Sequence, residues 1–152
     1  MKICLRMLML FLLVPLLSGC FAHTVDVGFD TAQKLNSDSD WSSLPVEVKV
    51  YQLKDDQIFN SATFNDLWKQ GRQTLGSSFV GVKNYTLLPG RHDSFTFESG
   101  PNTKYIGFVA IFLRHEHGTW RSAQAVPHVY LWNPHFKVTL SDNQLHAEQA
   151  WF

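Results

Sequence analysis

Tyr105-Ile106-Gly107-Phe108-Val109-Ala110-Ile111-Phe112-Leu113 is the stretch that decides the fold. Successive side chains of a strand point to opposite faces, so a run that is apolar at every position needs cover on both sides. The segment therefore predicts a central core strand, with packed layers above and below it.

The segments around it carry the period-two pattern of half-buried strands. Val25, Val27 and Phe29 alternate with Asp26, Gly28 and Asp30, which predicts a first strand at about 24–32. Val46, Val48 and Val50 alternate with Glu47, Lys49 and Tyr51 after Pro45, which predicts a second. Between them, residues 35–44 are rich in Ser, Asn and Asp, whose short polar side chains compete for backbone hydrogen bonds and make a loop. Trp41 is the large side chain within it.

Past the second strand the period changes. Thr63 and Asp66 have the spacing of a capping box, and Phe64, Leu67 and Trp68 share one helical face, so a short helix is predicted at about 63–70 with Gly71 as its stop. A turn at Asp55 to Phe59 is expected to precede it. Strand patterns resume at Phe79 to Leu88 and at Asp93 to Glu98, and the Pro89-Gly90 turn between them reads as the tip of a hairpin. Beyond the central strand, Gly118 leads into Trp120 to Val126, and two more strands follow at about 136–141 and 144–151. Seven or eight short strands punctuated by turns predict a mainly all-β protein, a two-sheet β-sandwich with one or two short helices inserted after the second strand. No internal repeat and no second domain is evident.

The N-terminus reads as an address. Lys2 and Arg6 precede an apolar run from Met7 to Leu17, followed by small residues, which is the layout of a signal peptide over residues 1–19. The run falls short of the roughly 20 apolar residues that a membrane span needs. Leu17-Ser18-Gly19-Cys20 resembles the lipobox cut by lipoprotein signal peptidase, with cleavage between Gly19 and Cys20 and lipid added to the Cys20 thiol. The alternative is an ordinary leader with a chance cysteine. Acyl chains contribute about 0.8 kcal/mol per buried methylene, so several of them make a lasting anchor. Phe21 stands where other lipoproteins carry the aspartate of inner-membrane retention, which favours the outer membrane. Residues 20–23 are then the lipidated tether and 24–152 the sandwich.

Composition bounds the function. Removal of residues 1–19 leaves 133 residues, enough for one domain, with 11 basic and 13 acidic residues among them. That balance gives no purchase on nucleic acid. Cys4 lies in the leader and Cys20 carries the lipid, so no thiol is left for catalysis or a disulfide. Twelve Phe, five Trp and four Tyr supply the apolar bodies that hold such a domain by packing alone.

No Gly-x-Ser-x-Gly elbow, phosphate-cradling glycine loop or His-Glu-x-x-His helix is present. His115-Glu116-His117 could direct two imidazoles to one face if extended, joined by His128 or His135, but the spacing specifies no ligand geometry. We assign no metal. Asp38, Asp40, Asp55 and Asp56 sit in turn-rich segments where carboxylates cap or face solvent, and we assign them no catalysis. Trp41 either folds back on the core or meets a partner, since partner surfaces are enriched in Trp.

Taken together, several segments resemble the TssJ-type outer-membrane lipoproteins of the type VI secretion system. They are the lipobox; Val46-Glu47-Val48-Lys49-Val50-Tyr51-Gln52-Leu53 followed by Phe59, Phe64 and Leu67; Leu75-Gly76; Leu88-Pro89-Gly90; Tyr105 to Phe112; and Trp120-Arg121. The resemblance implies a transthyretin-like sandwich without enzymatic activity or cofactor. It implies a lipoprotein on the periplasmic side of the outer membrane that binds the periplasmic C-terminal part of TssM, an inner-membrane protein. It also implies that the connection between the first two strands touches this partner, which here means Leu35, Asn36, Ser37, Asp38, Ser39, Asp40 and Trp41. No small-molecule substrate is expected. The alternatives are a periplasmic binding module for carbohydrate or peptidoglycan, with a Trp- and Tyr-lined pocket as its sign, and a histidine-based metal-dependent hydrolase.

Overall fold

A computed structural model describes residues 23–127 and 133–150. The leader, Cys20 and His128 lie outside the described residues. Eight strands form two four-stranded sheets, and two short α-helices lie between the second and third strands. The strands are β1 (Thr24–Leu35), β2 (Val46–Leu53), β3 (Phe79–Leu87), β4 (His92–Glu98), β5 (Tyr105–Ile111), β6 (Arg121–Ala125), β7 (His135–Asp142) and β8 (Gln144–Ala150). The helices are α1 (Gln57–Ser61) and α2 (Phe64–Leu75).

One sheet has the order β4-β1-β7-β8 and the other β3-β2-β5-β6. All neighbours are antiparallel except β1 and β7, which run parallel. Between the sheets Val25, Val27 and Phe29 of β1 meet Val48 and Val50 of β2, Ile106 and Phe108 of β5, and Phe136 and Val138 of β7. The predicted sandwich with helices after the second strand is the observed architecture.

The central strand is buried as its sequence requires. Ile106, Phe108 and Ala110 face the opposite sheet. Val109 faces outward into a second apolar cluster, where Phe59 of α1 and Leu67 and Leu75 of α2 cover it. The helices are thus a third layer over one sheet, and β5 lies under it. Gly107 is part of that fit, because a side chain there would collide with the Phe59 ring. Arg121 of β6 donates to the carbonyl oxygens of Phe59 (3.0 Å), Asn60 and Ala62, holding α1 against the sheet. This gives Trp120-Arg121 a structural reading.

Four local expectations change. The segments at 79–88 and 93–98 are not a hairpin: β3 pairs with β2, and β4 pairs with β1 in the other sheet. After Pro89-Gly90 the chain crosses between layers, pinned by Thr31, whose hydroxyl donates to the Leu88 carbonyl (2.7 Å) and accepts from the Arg91 amide (2.8 Å). Tyr85 and Phe95 stack at 4.1 Å across the gap, so both strands turn aromatic faces into one core rather than lying side by side. The first strand runs to Leu35, three residues past its expected end, because Leu35 itself is core. Gly71 does not stop the helix: α2 begins at the predicted Thr63–Asp66 capping box, bends at Gln70 (φ −140°, ψ 33°), and continues to Leu75. The turn expected at Asp55 to Phe59 is replaced from Gln57 onward by α1.

Candidate partner-docking surface

The end of the sandwich where β1 hands over to β2 is built by a few part-buried polar bonds. Asn36 turns the chain with φ of 47°, a left-handed conformation that Asn tolerates better than most residues. Its side chain donates to the Pro45 carbonyl (2.8 Å) and accepts from the Leu113 amide (2.9 Å), tying the loop to the end of β5. Its own amide donates to the Asp142 carbonyl at 2.6 Å, which ties the loop to the β7–β8 turn. Three connections are thereby fixed to one another.

Asp38 shapes the loop tip. One carboxylate oxygen accepts from the amides of Asp40 and Ser42, each at 2.9 Å, an Asx-type turn that closes the loop on itself. This turn drives Trp41 to φ of 62° and leaves the indole 67% exposed. The indole therefore does not cap the core. Two cations flank it: Lys34 Nζ lies 4.6 Å and the Arg114 guanidinium carbon 5.5 Å from the ring centre, within cation–π range. Arg114 also reaches the Asp38 carbonyl at 3.4 Å.

The predicted contact stretch is thus split by burial. Leu35, Asn36 and Ser37 are buried and give the loop its shape, whereas Ser39, Asp40 and Trp41 are exposed and Asp38 is half-buried. Leu113, 57% exposed, extends the surface beside the loop through its bond to Asn36. Sequence reasoning placed it in the core because it ends an apolar run; the charged and polar Arg114-His115 directly after it was the available signal. Lys34 and Arg114 were likewise missed, since their meeting at Trp41 is a tertiary event. Ser37 Oγ, Arg114 Nε and Asn143 Oδ1 are buried at this end with no hydrogen-bond partner among the described residues.

The His115-Glu116-His117 segment is a 3-10 turn rather than an extended stretch. The His115 ring stacks on Phe64, with centroids 3.7 Å apart, and Phe64 in turn meets Trp120 edge-on at 5.2 Å. Among the described residues no three His, Cys, Asp or Glu side chains are placed to hold a metal ion.

At the opposite end of β1 the described part of the chain begins. The Ser99 amide donates to the His23 carbonyl at 2.7 Å, and Thr24 pairs with Glu98. Cys20 is three residues before this point in the chain. The twelve residues of β1 span roughly 35 to 40 Å, so His23 and Trp41 lie at opposite ends of the domain. Among the described residues no helix is long and apolar enough to cross a membrane.

Comparison with known proteins agrees with this fold. A search of curated proteins finds no match. The fold matches the type VI secretion lipoprotein TssJ1 of Pseudomonas aeruginosa with a TM-score of 0.79 at 24% identity, covering 86% of this chain and 98% of that one. It matches Lip of Serratia marcescens, a membrane-bound component of the type VI secretion system, with a TM-score of 0.76 at 21% identity, over 83% and 97% of the two chains. It also matches a chain in a structure described as the type VI secretion protein TssM C-terminal domain (869–1107) from EAEC, with a TM-score of 0.67 at 22% identity, over 84% and 99%. The family model for type VI secretion lipoproteins (VasD, EvfM, TssJ) matches residues 23–143, most of the sandwich, and the chain belongs to that family.

Proposed function

We propose that this lipoprotein is carried on the outer membrane by lipid on Cys20, facing the periplasm, and that its Trp41 end binds the periplasmic C-terminal region of a TssM-like inner-membrane protein. The secretion channel is thereby fastened to both membranes. The role is mechanical, and the chain acts as a docking module rather than an enzyme.

The observation that carries this reading is the exposed Trp41 indole at the far end of β1 from the tether. A protein held by its N-terminus presents its opposite end to the periplasm, and the short link to Cys20 leaves about 10 Å of slack. An exposed Trp and Leu with flanking cations, set on a loop whose shape is fixed from beneath, have the make-up of an interface anchor. The TssM structure adds support: the chain matched there is barely longer than its matched part and so shorter than the TssM segment 869–1107.

Two variants test the proposal. Cys20→Ser should leave the domain folded and release it from the outer-membrane fraction; retention of the variant there would refute the anchor. Trp41→Ala should weaken binding to the TssM periplasmic region by at least about 2 kcal/mol with an unchanged melting temperature. Unchanged affinity would remove this loop from the interface.

A further inference from the structure

Beside the bend in α2 the helix leaves part of its sheet uncovered, and an open groove of about 660 Å³ lies between helix, β2 and β3. Its polar character is one-sided. Lys49, Lys69 and Arg72 line it together with Trp68 and Val82, and no Asp or Glu does. This is not a general excess of positive charge, because the whole chain carries 13 basic and 13 acidic residues.

The state of these cations is what makes the groove more than a solvated face. The Lys49 side chain is only 17% exposed, and its nearest carboxylate, Glu47, is 3.9 Å away, at the limit of an ion pair. Among the described residues no carboxylate lies within 4 Å of Lys69 or Arg72. Instead Lys69 rests over the Trp68 ring at 4.9 Å and Arg72 over the Phe79 ring at 5.6 Å. The Lys49 stem is largely covered and its head has one distant partner, so together with the exposed Lys69 and Arg72 it leaves three cations on one groove for an anionic chain to pair with.

We propose that this groove binds an acidic segment of a partner protein, with carboxylates on Lys49, Lys69 and Arg72 and an apolar side chain against Val82. The site is separate from the Trp41 end and does not depend on that reading. Three cations over one open groove suit several carboxylates spaced along a chain. A sugar-stacking platform fits less well, because Trp68 has Lys69 over its ring and Phe64 packed against it at 5.8 Å. Val82, 39% exposed, offers apolar contact, and among the described strands β3 pairs only with β2, so its outer edge is open to an extended segment.

The test is titration of the full-length protein in detergent with poly-L-glutamate, at physiological ionic strength where screening acts beyond about 8 Å. Wild type should bind. The Lys69→Gln/Arg72→Gln double variant should lose about tenfold or more in affinity, and Val82→Glu, which adds a carboxylate to the groove at an exposed position, should abolish binding. Lys54→Gln/Lys104→Gln, exposed cations elsewhere, should change nothing, and Trp41→Ala should also leave this binding intact. No binding by wild type, or equal losses in the groove and the distant lysine variants, would overturn the proposal. So would groove variants that impair binding to phosphatidylglycerol vesicles or to chitotetraose while leaving poly-L-glutamate binding unchanged.

Discussion

The hydroxyl of Tyr51 occupies the space that a side chain on Gly71 would need, and from there donates to the Leu67 carbonyl at 2.6 Å. A residue on β2 thus reaches into the backbone of α2 at its bend, and the missing Cβ lets it in. This contact locks the helical layer to the sheet and places both residues in the wall of the basic groove.

Gly71→Ala should therefore destabilise the domain by about 1 to 3 kcal/mol, the range for overpacking a filled site. Helix propensity alone predicts the reverse, since Ala is favoured over Gly by about 1 kcal/mol within a helix. Urea denaturation decides between them, and a more stable variant would show that the close approach is not limiting.

Burial, and to a smaller degree the Glu47 carboxylate, pushes the Tyr51 phenol up to about 12 from its ordinary 10.0. The folded state favours the protonated form, so this contribution to stability is whole below pH 10 and is lost as pH rises from 10 through about 12. The loss is no more than about 3 kcal/mol. Denaturation midpoints should fall across that window in wild type and fall less in Tyr51→Phe. Some slope should persist in the variant, because burial also raises Tyr85. An identical slope in both proteins would exclude Tyr51 as the source.

Asn36→Ala separates the shape of the loop from its contact residue. It removes two part-buried hydrogen bonds, to the Leu113 amide and the Pro45 carbonyl, which costs about 1 to 2 kcal/mol. The melting temperature should drop, and affinity for the proposed TssM-like partner should drop with it. Trp41→Ala should lower affinity alone. Equal melting temperatures for Asn36→Ala and wild type would show that the loop does not depend on this bridge.

Phe108→Ala removes the centre of the core, where the ring lies 6.4 Å from that of Phe29 and 6.1 Å from that of Phe136. The cost should be about 3 to 5 kcal/mol, enough to unfold a domain of ordinary stability. A thermal melt matching wild type would contradict the core position of β5.

Much of the architecture was legible because alternation and end signals are local. The valines of β2 and the Thr63–Asp66 capping box each depend on neighbours a few residues away, and each formed as read. The double-sided burial of β5 was legible for the same reason, since an apolar residue at every position admits no exposed face.

By itself the sequence determined that the chain makes two layers of strands, that a helical insertion follows β2, and that Trp41 lies in a polar loop, because side-chain period and turn chemistry act over short distances. Only the tertiary structure decided that β3 and β4 part into different sheets, since pairing depends on which strand edges are open and Pro89-Gly90 permits either a hairpin or a crossover. It also decided that α2 passes through Gly71, because the reason for that glycine is the Tyr51 hydroxyl twenty residues earlier in the chain. The exposure of Trp41 was settled in the same way. Asn36 reaches the amide of Leu113, and Lys34 and Arg114 arrive at the indole from separate strands' ends, so the proposed docking surface exists only where distant segments are brought to one end of the sandwich.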